Sequence, residues 1–359
     1  MPVSSPEIAV IGAGVAGLSC ARALTAGGAR VRVFDKGRSV GGRLAVRRSG
    51  AHVFDLGTQY FTAREPRIEE PLWSWIEEGV VALWDARIVA FDDVGAEPRE
   101  VEAIARYVGV PDMNALAHVM ARGLEVSRSQ RLERIERRGD RLELYGTIGA
   151  EGLTLSPTEP GAQAADALGS FDAVAICMPP AQAALLIDEA CPALAAEARR
   201  VVMDPCYALG FAPGEADARL LAALPFDGAF IGRENADARS PLSWIARDSS
   251  KPGRPAGERW VLHASAAWSR AMFDAPAEEV TVAMLAELSR LLGLSPLRPA
   301  QSFLRRWAHA RTEHALECGA LHDDAARIGL GGDWAMGGRF EGAYVSGLEL
   351  ARRTLEALG

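Results

Sequence analysis

Three glycine-rich blocks hold the residues whose types and spacing point to chemistry. The first is Gly12-Ala-Gly14-Val-Ala16-Gly17, with Asp35 placed 23 residues after Gly12 and Lys36 beside it. Gly12 allows a tight turn, Gly14 lets a pyrophosphate reach the backbone, and Gly17 lets a helix pack closely on a strand. Amides at the start of that helix, Ala16 among them, offer free N–H groups and the positive end of the dipole to phosphates. Asp35 can accept hydrogen bonds from ribose hydroxyls. Its charge repels a 2'-phosphate, which favours FAD or NAD over NADP.

The second block, Gly41-Gly42-Arg43, follows closely. Gly42 brings backbone to the ligand again, and Arg43 can pair with the pyrophosphate. Downstream, Gly57, Thr58 and Gln59 form a loop beside the ring system, with Tyr60 next to it. The third block lies near the C-terminus, where Gly332 and Asp333 precede Gly342 and Ala343. Asp333 can bind ribityl hydroxyls. N–H groups near Gly342 and Ala343 can stabilise the negative charge of a reduced flavin. An NAD dehydrogenase needs no such second clasp, whereas a permanently held flavin does, so the blocks together predict FAD. None of the five cysteines, Cys20, Cys177, Cys191, Cys206 and Cys318, follows Asp333, so attachment is expected to be non-covalent.

These blocks need strands and helices to hold them. Ile8 to Ile11 reads as a buried parallel strand, followed by a helix that Gly27-Gly28 stops and by a second strand, Val31 to Phe34. Arg327 to Gly331 reads as a strand leading into the last helix. Helices are predicted over 66–79, 113–120 and 274–293, and strands at 124–126, 142–145 and 171–176. Trp73, Trp75 and Trp84 are assigned to the core, and 147–170 to a long loop with a hairpin arm. The class is α/β. A Rossmann-type FAD-binding domain (1–62, 107–180 and 324–359), a parallel sheet with a β-meander, is joined to a mixed-sheet α+β substrate domain (63–106 and 181–323). The site belongs between them. No second G-x-G-x-x-G occurs, so any nicotinamide enters as a substrate.

Composition narrows the partners. The 359 residues carry a net charge of -8, which argues against nucleic acid. Only Lys36 and Lys251 are lysines among 39 basic residues, leaving two positions for a catalytic lysine. No signal peptide, transmembrane run or metal-ligand spacing is evident, so a cytoplasmic protein without metal is expected.

The middle of the chain is more specific. Phe34-Asp-Lys-Gly-Arg38, Asp55-Leu-Gly-Thr-Gln-Tyr-Phe-Thr-Ala-Arg64, Tyr107-Val-Gly-Val-Pro-Asp-Met113, Met203-Asp-Pro205, Ser240-Pro-Leu-Ser-Trp-Ile-Ala-Arg247, Ser250-Lys-Pro252, Trp260-Val-Leu-His-Ala264 and Arg306-Trp307 resemble the bacterial branch of the renalase family. That family lies within the amine-oxidase-like FAD oxidoreductases. The resemblance covers nearly the whole chain and implies the architecture of p-hydroxybenzoate hydroxylase and the amine oxidases. It implies an oxidase of 2- and 6-dihydro isomers of NAD(P)H, with hydride transfer to flavin N5, release of NAD(P)+ and reduction of O2 to H2O2. Tyr107, where the branch often has Trp, and the run Ala175-Ile-Cys-Met-Pro179 depart from the pattern and bear on substrate preference.

Such an oxidation removes a hydride and needs no base. Tyr60, His263 and Trp307 are the pocket candidates, each with core packing as the competing role. His52, His118, His309, His314 and His322 are assigned to surface or packing. Two other readings stay open. One is an amine oxidase or desaturase-type flavoenzyme, and the other a non-catalytic FAD-binding redox sensor.

Overall fold

A computed structural model describes residues 5–92, 97–149, 165–232 and 240–359. Glu7–Ile11 and Ala173–Ile176 are runs of small and branched apolar residues, almost entirely shielded from solvent. Such runs suit parallel strands covered on both faces. They form the centre of a six-stranded sheet in the order Leu321–Asp323, Ile328–Leu330, Ala173–Ile176, Glu7–Ile11, Arg30–Asp35, Glu125–Arg128. All its pairings are parallel except that of Leu321–Asp323 with Ile328–Leu330.

Alternate residues of the central strands feed different cores, as the pleat requires. Ile8, Val10 and Val33 pack under the helices Val15–Ala26, Asn114–Met120 and Phe340–Glu356. Ala9, Ile11 and Phe34 face an antiparallel meander, Gln130–Arg138, Arg141–Ile148 and Asp166–Phe171, and the helices Pro180–Ile187 and Pro192–Arg199.

A second, seven-stranded sheet runs in the order Pro299–Thr312, Met203–Pro213, Trp260–Ala264, Leu242–Arg247, Gly228–Ile231, Ile88–Phe91, Arg99–Glu100. One face, through Tyr207, Leu209, Ile245 and Leu262, buries Val280, Met284 and Leu288 of the helix Ala277–Leu291. Those helix residues recur at four-residue intervals, the spacing of one helical face.

The fold is therefore a Rossmann-like layer joined to a mixed-sheet layer, as the sequence pattern indicated. Three details differ. Trp73 is 55% exposed rather than core, because it lies on the outer face of the helix Glu69–Glu77, whereas Trp75 and Trp84 are buried. Residues 147–148 and 166–170 belong to meander strands rather than a loop, since they pair with Gln130–Arg131 and with Glu143–Gly146; residues 150–164 of the expected loop and hairpin arm lie outside the described residues. Leu321–Asp323 joins the Rossmann-like sheet just ahead of the expected boundary at 324. Among the described residues no helix is long and apolar enough to cross a membrane.

Candidate functional site

The first turn is built around open backbone. Gly12 N–H donates to the Phe34 carbonyl (2.7 Å), and the helix begins at Val15 with Gly14 as its N-cap. The first helical amide to find an acceptor in this turn is that of Leu18, on the Gly14 carbonyl. Those of Val15 and Ala16, which line the cleft, are left for a ligand. A Cβ on Gly14 would meet nothing within 4 Å, so this residue borders open space. A Cβ on Gly17 would lie 1.7 Å from the Gly12 carbonyl oxygen, so Gly17 serves packing and is not on the cleft surface.

Asp35 is more occupied than its sequence role implied. Its two oxygens accept from the Ala13 and Gly37 amides, each at 2.6 Å. A carboxylate has lone pairs beyond these two bonds, so a ribose hydroxyl can still be accepted. Lys36 donates to Gln182 at 3.3 Å, and burial, then the nearby Arg131, holds its ammonium below the usual lysine value.

The second and third blocks meet each other. Arg43 grips Asp333 with two bonds, 2.8 and 2.5 Å, across 290 residues of sequence, and also donates to the Ala310 carbonyl at 3.0 Å. Burial works against the Arg43 charge, but Asp333 outweighs it and holds the guanidinium above its ordinary value. The two side chains expected to hold pyrophosphate and ribityl groups separately thus form one bidentate pair. Thr58 anchors its loop on the Arg43 carbonyl through both its N–H (2.8 Å) and its hydroxyl (3.2 Å). Gln59 turns inward, with its side-chain amide bonded to the Asp55 and Gly57 carbonyls and to Lys251, and so cannot present that amide to a flavin.

At the last helix, Ala343 N–H donates to the Arg339 carbonyl at 2.9 Å and is spent within the helix. Free amides lie instead at Phe340, Glu341 and Gly342, the positions before the ladder closes. Gly342 is not on the cleft surface, because a Cβ there would lie 1.7 Å from the Met336 carbonyl oxygen. Gly332 N–H is bound by Ser346 at 2.9 Å. Sequence reasoning missed Glu341, which accepts from Thr62 Oγ1 (2.8 Å), Arg64 N (2.6 Å) and Glu65 N (2.9 Å). An acidic residue in a first helical turn was the available signal.

Facing these blocks is a cross-strand row on the seven-stranded sheet. Trp307 pairs with Cys206, Ala208 with His263, His263 with Trp244, and Trp244 with Phe230. His263 and Trp307 are two strands apart and offset by two residues along them, roughly 12 Å at the usual strand spacing and rise. Tyr60 joins the row from the opposite wall, with its ring centroid 5.6 Å from that of Trp244. Trp244 and Phe230 (4.8 Å) were not among the sequence candidates. Trp307 donates to the Leu56 carbonyl at 2.8 Å, and Arg305 covers one face of its ring at 4.3 Å. His309, assigned to surface or packing, lines the same cleft.

His263 Nε2 is buried without a partner among the described residues. Burial, then the charge of Lys251, lowers the imidazole to about 4. The unfolded chain takes up this proton near 6.5, so between those values unfolding binds a proton and acidification weakens the fold. From pH 7.5 to 4.5 the wild type should lose about 1–3 kcal/mol more stability than His263→Gln. Urea denaturation at the two pH values measures this, and equal losses would contradict it.

The walls enclose one continuous cleft of about 3670 Å³, reached by Gly12, Gly14, Ala16, Asp35, Lys36, Gly42, Arg43, Gly57, Thr58, Gln59, Gly332, Asp333 and Ala343 and by Tyr60, His263 and Trp307. Ligand pockets commonly measure about 300–1,000 Å³; this one has room for a dinucleotide cofactor and a second molecule. Among the described residues fourteen basic and seven acidic side chains line it, a local excess opposite to the net -8 of the chain. The open Gly14 backbone, free helix amides and basic walls fit FAD.

Behind the flavin-side loop lies a cluster with no exposure. Lys251 Nζ donates to Asp248 (2.7 Å), Asp55 (3.1 Å) and Gln59 (3.3 Å), and Arg254 donates to Asp55 at 2.5 Å. All four charged side chains are 0% exposed. Burial pushes the Asp55 carboxyl up, but Lys251 and Arg254 outweigh it and hold it below the usual carboxylate range.

Two family models match the chain. Residues 10–76 match an NAD(P)-binding Rossmann-like domain, and residues 94–355 match the flavin containing amine oxidoreductases. Among solved structures, one assigned as a protoporphyrinogen oxidase from Exiguobacterium sp. 255-15 is similar with a TM-score of 0.73 at 12% identity, over 99% of this chain and 100% of that one. A wild-type putrescine oxidase bound to putrescine is similar with a TM-score of 0.68 at 13% identity, over 99% and 100% of the two chains. Identities this low speak for the fold alone.

Proposed function

Because this chain belongs to the flavin containing amine oxidoreductase family, we propose that it is an FAD-dependent oxidase of the renalase type, acting on the 2- and 6-dihydro isomers of NAD(P)H. FAD is held non-covalently, with its pyrophosphate at the Val15 and Ala16 amides and its ring beside residues 57–60. The cofactor portion comprises 1–62, 107–180 and 324–359, and the substrate portion the rest. When bound, FAD supplies the two-electron acceptor: the ring's hydride goes to N5, and dioxygen with a proton carries the electrons off as hydrogen peroxide.

The chain's own residues bind and orient. The cross-strand row His263–Trp244–Phe230, with Tyr60 opposite, offers a largely aromatic wall of mutually tilted rings for a dihydropyridine, and holding such a ring in register lowers the barrier by orientation. Aromatic faces also favour the pyridinium that forms. His263 stays neutral above about pH 4, so the cation is not opposed from that side. No base is required, because hydride loss alone makes the ring aromatic.

The observation that carries this reading is the basic lining of the cleft, fourteen cations to seven anions among the described residues. A dinucleotide brings phosphates that such walls attract. Aromatic walls would also suit an amine, which keeps the amine oxidase reading alive, but a diamine such as putrescine would meet repulsion. Lys251, the lysine nearest the flavin-side loop, is held by two carboxylates. Oxygen uptake separates the readings. The isomeric dihydronicotinamide dinucleotides should be consumed with peroxide release, more slowly as salt is raised, and putrescine should not. Uptake with putrescine alone would reverse the assignment.

A further inference from the structure

We infer that Lys251 is a positioning residue that acts through Gln59 on the flavin-facing turn 57–60. The inference rests on the flavin reading of the cleft, not on the choice of substrate. Lys251 is 2% exposed and absent from the cleft wall, so it touches neither cofactor nor substrate. An ammonium has three donors, and here all three are used, on Asp248, Asp55 and Gln59. The carboxylates already neutralise its charge. The bond to Gln59 therefore does something else.

An amide has one acceptor end and one donor end. With Gln59 Oε1 pulled toward an ammonium that can only donate, its NH2 must face the other way, onto the carbonyls of Asp55 and Gly57 (the latter at 3.2 Å). Those carbonyls belong to the turn whose other groups are also held: Leu56 O by Trp307 at 2.8 Å, and Thr58 N by the Arg43 carbonyl at 2.8 Å. Three distant segments thus fix consecutive peptides beside the expected flavin ring. Lys251 sets the first and the last of them, 55–56 and 57–58, by choosing the orientation of one amide. Trp84, whose ring centroid is 5.6 Å from Nζ, closes the remaining side.

The test compares Lys251→Met, Gln59→Leu and the double variant as holoenzymes, reading FAD dissociation and the visible-region circular dichroism of the bound flavin. Each single variant should weaken FAD binding about tenfold, the worth of one hydrogen bond to a charged group, and should alter the flavin dichroism. The double variant should be no worse than the weaker single one, because both remove the same brace. Wild-type affinity and dichroism in Gln59→Leu, or effects that multiply in the double variant, would overturn the inference. Gln59→Leu leaves all four buried charges paired, so it decides the matter even if Lys251→Met does not fold. A wild-type chain that binds no FAD would instead sink the flavin reading itself.

Discussion

A Gly14→Asp variant should melt at the wild-type temperature without cofactor yet bind FAD more weakly by on the order of a hundredfold or more. A side chain at this position meets nothing within 4 Å, so the fold accommodates it. Its carboxylate, however, occupies the space in front of the Val15 and Ala16 amides, where the proposed pyrophosphate sits. Setting like charges against each other there costs several kcal/mol, and each 1.4 kcal/mol is tenfold in affinity. Gly17→Ala provides the opposite control. Its Cβ would stand 1.7 Å from the Gly12 carbonyl oxygen, so stability should fall before binding can be measured. Thermal melting of the cofactor-free chains and fluorescence titration with FAD separate the two effects. Wild-type FAD affinity in Gly14→Asp would remove this turn from the cofactor site.

Asp55→Asn should destabilise the protein by about 3–5 kcal/mol, the usual cost of stranding a buried charge. Asp55 is the shared acceptor for Lys251 at 3.1 Å and Arg254 at 2.5 Å, and Met113 N–H donates to its other oxygen at 3.1 Å. Asparagine keeps the shape but leaves two buried cations with Asp248 as their one remaining carboxylate. The cluster ties residues 55–59 to 109–113 and 248–254, so its loss should loosen the flavin-side loop as well. Urea denaturation gives the number, and a change under about 1 kcal/mol would mean that water or a neighbour replaces the lost charge.

The cofactor half of this molecule was legible because its signals are local. Gly12, Gly14 and Gly17 each follow from a turn, a close approach or a packing contact a few residues away. The buried strands on either side announce themselves as short apolar runs. What escaped was set by partners far along the chain. Arg43 and Asp333 were each assigned to a ligand, yet 290 residues of separation hid that they face one another. Gln59 looked like a flavin contact until Lys251, reached through a distant loop, turned its amide inward. Trp244 and Phe230 became wall residues only through the strand order of the seven-stranded sheet, which brings His263, Trp244 and Phe230 side by side. Trp73 shows the same limit in reverse, since helical spacing does not say which face of a short helix meets solvent.

The scarcity of lysine changes meaning in this light. Two lysines left two places for an amine-oxidase-like base. One, Lys36, sits by the adenosine end of the cleft, and the other is locked between carboxylates behind the flavin-side loop. Lys251 does not reach the cleft wall, and a hydride donor that becomes aromatic asks for no lysine.

The most direct measurement is an anaerobic titration of the FAD-loaded protein with purified 2- and 6-dihydro isomers of NADH and NADPH, following the flavin's visible absorbance. Stoichiometric bleaching by at least one isomer, with NAD(P)+ as product and recovery of colour with hydrogen peroxide on admitting air, is the result expected. A flavin that none of these isomers bleaches, but that putrescine or another amine reduces rapidly, would contradict the account.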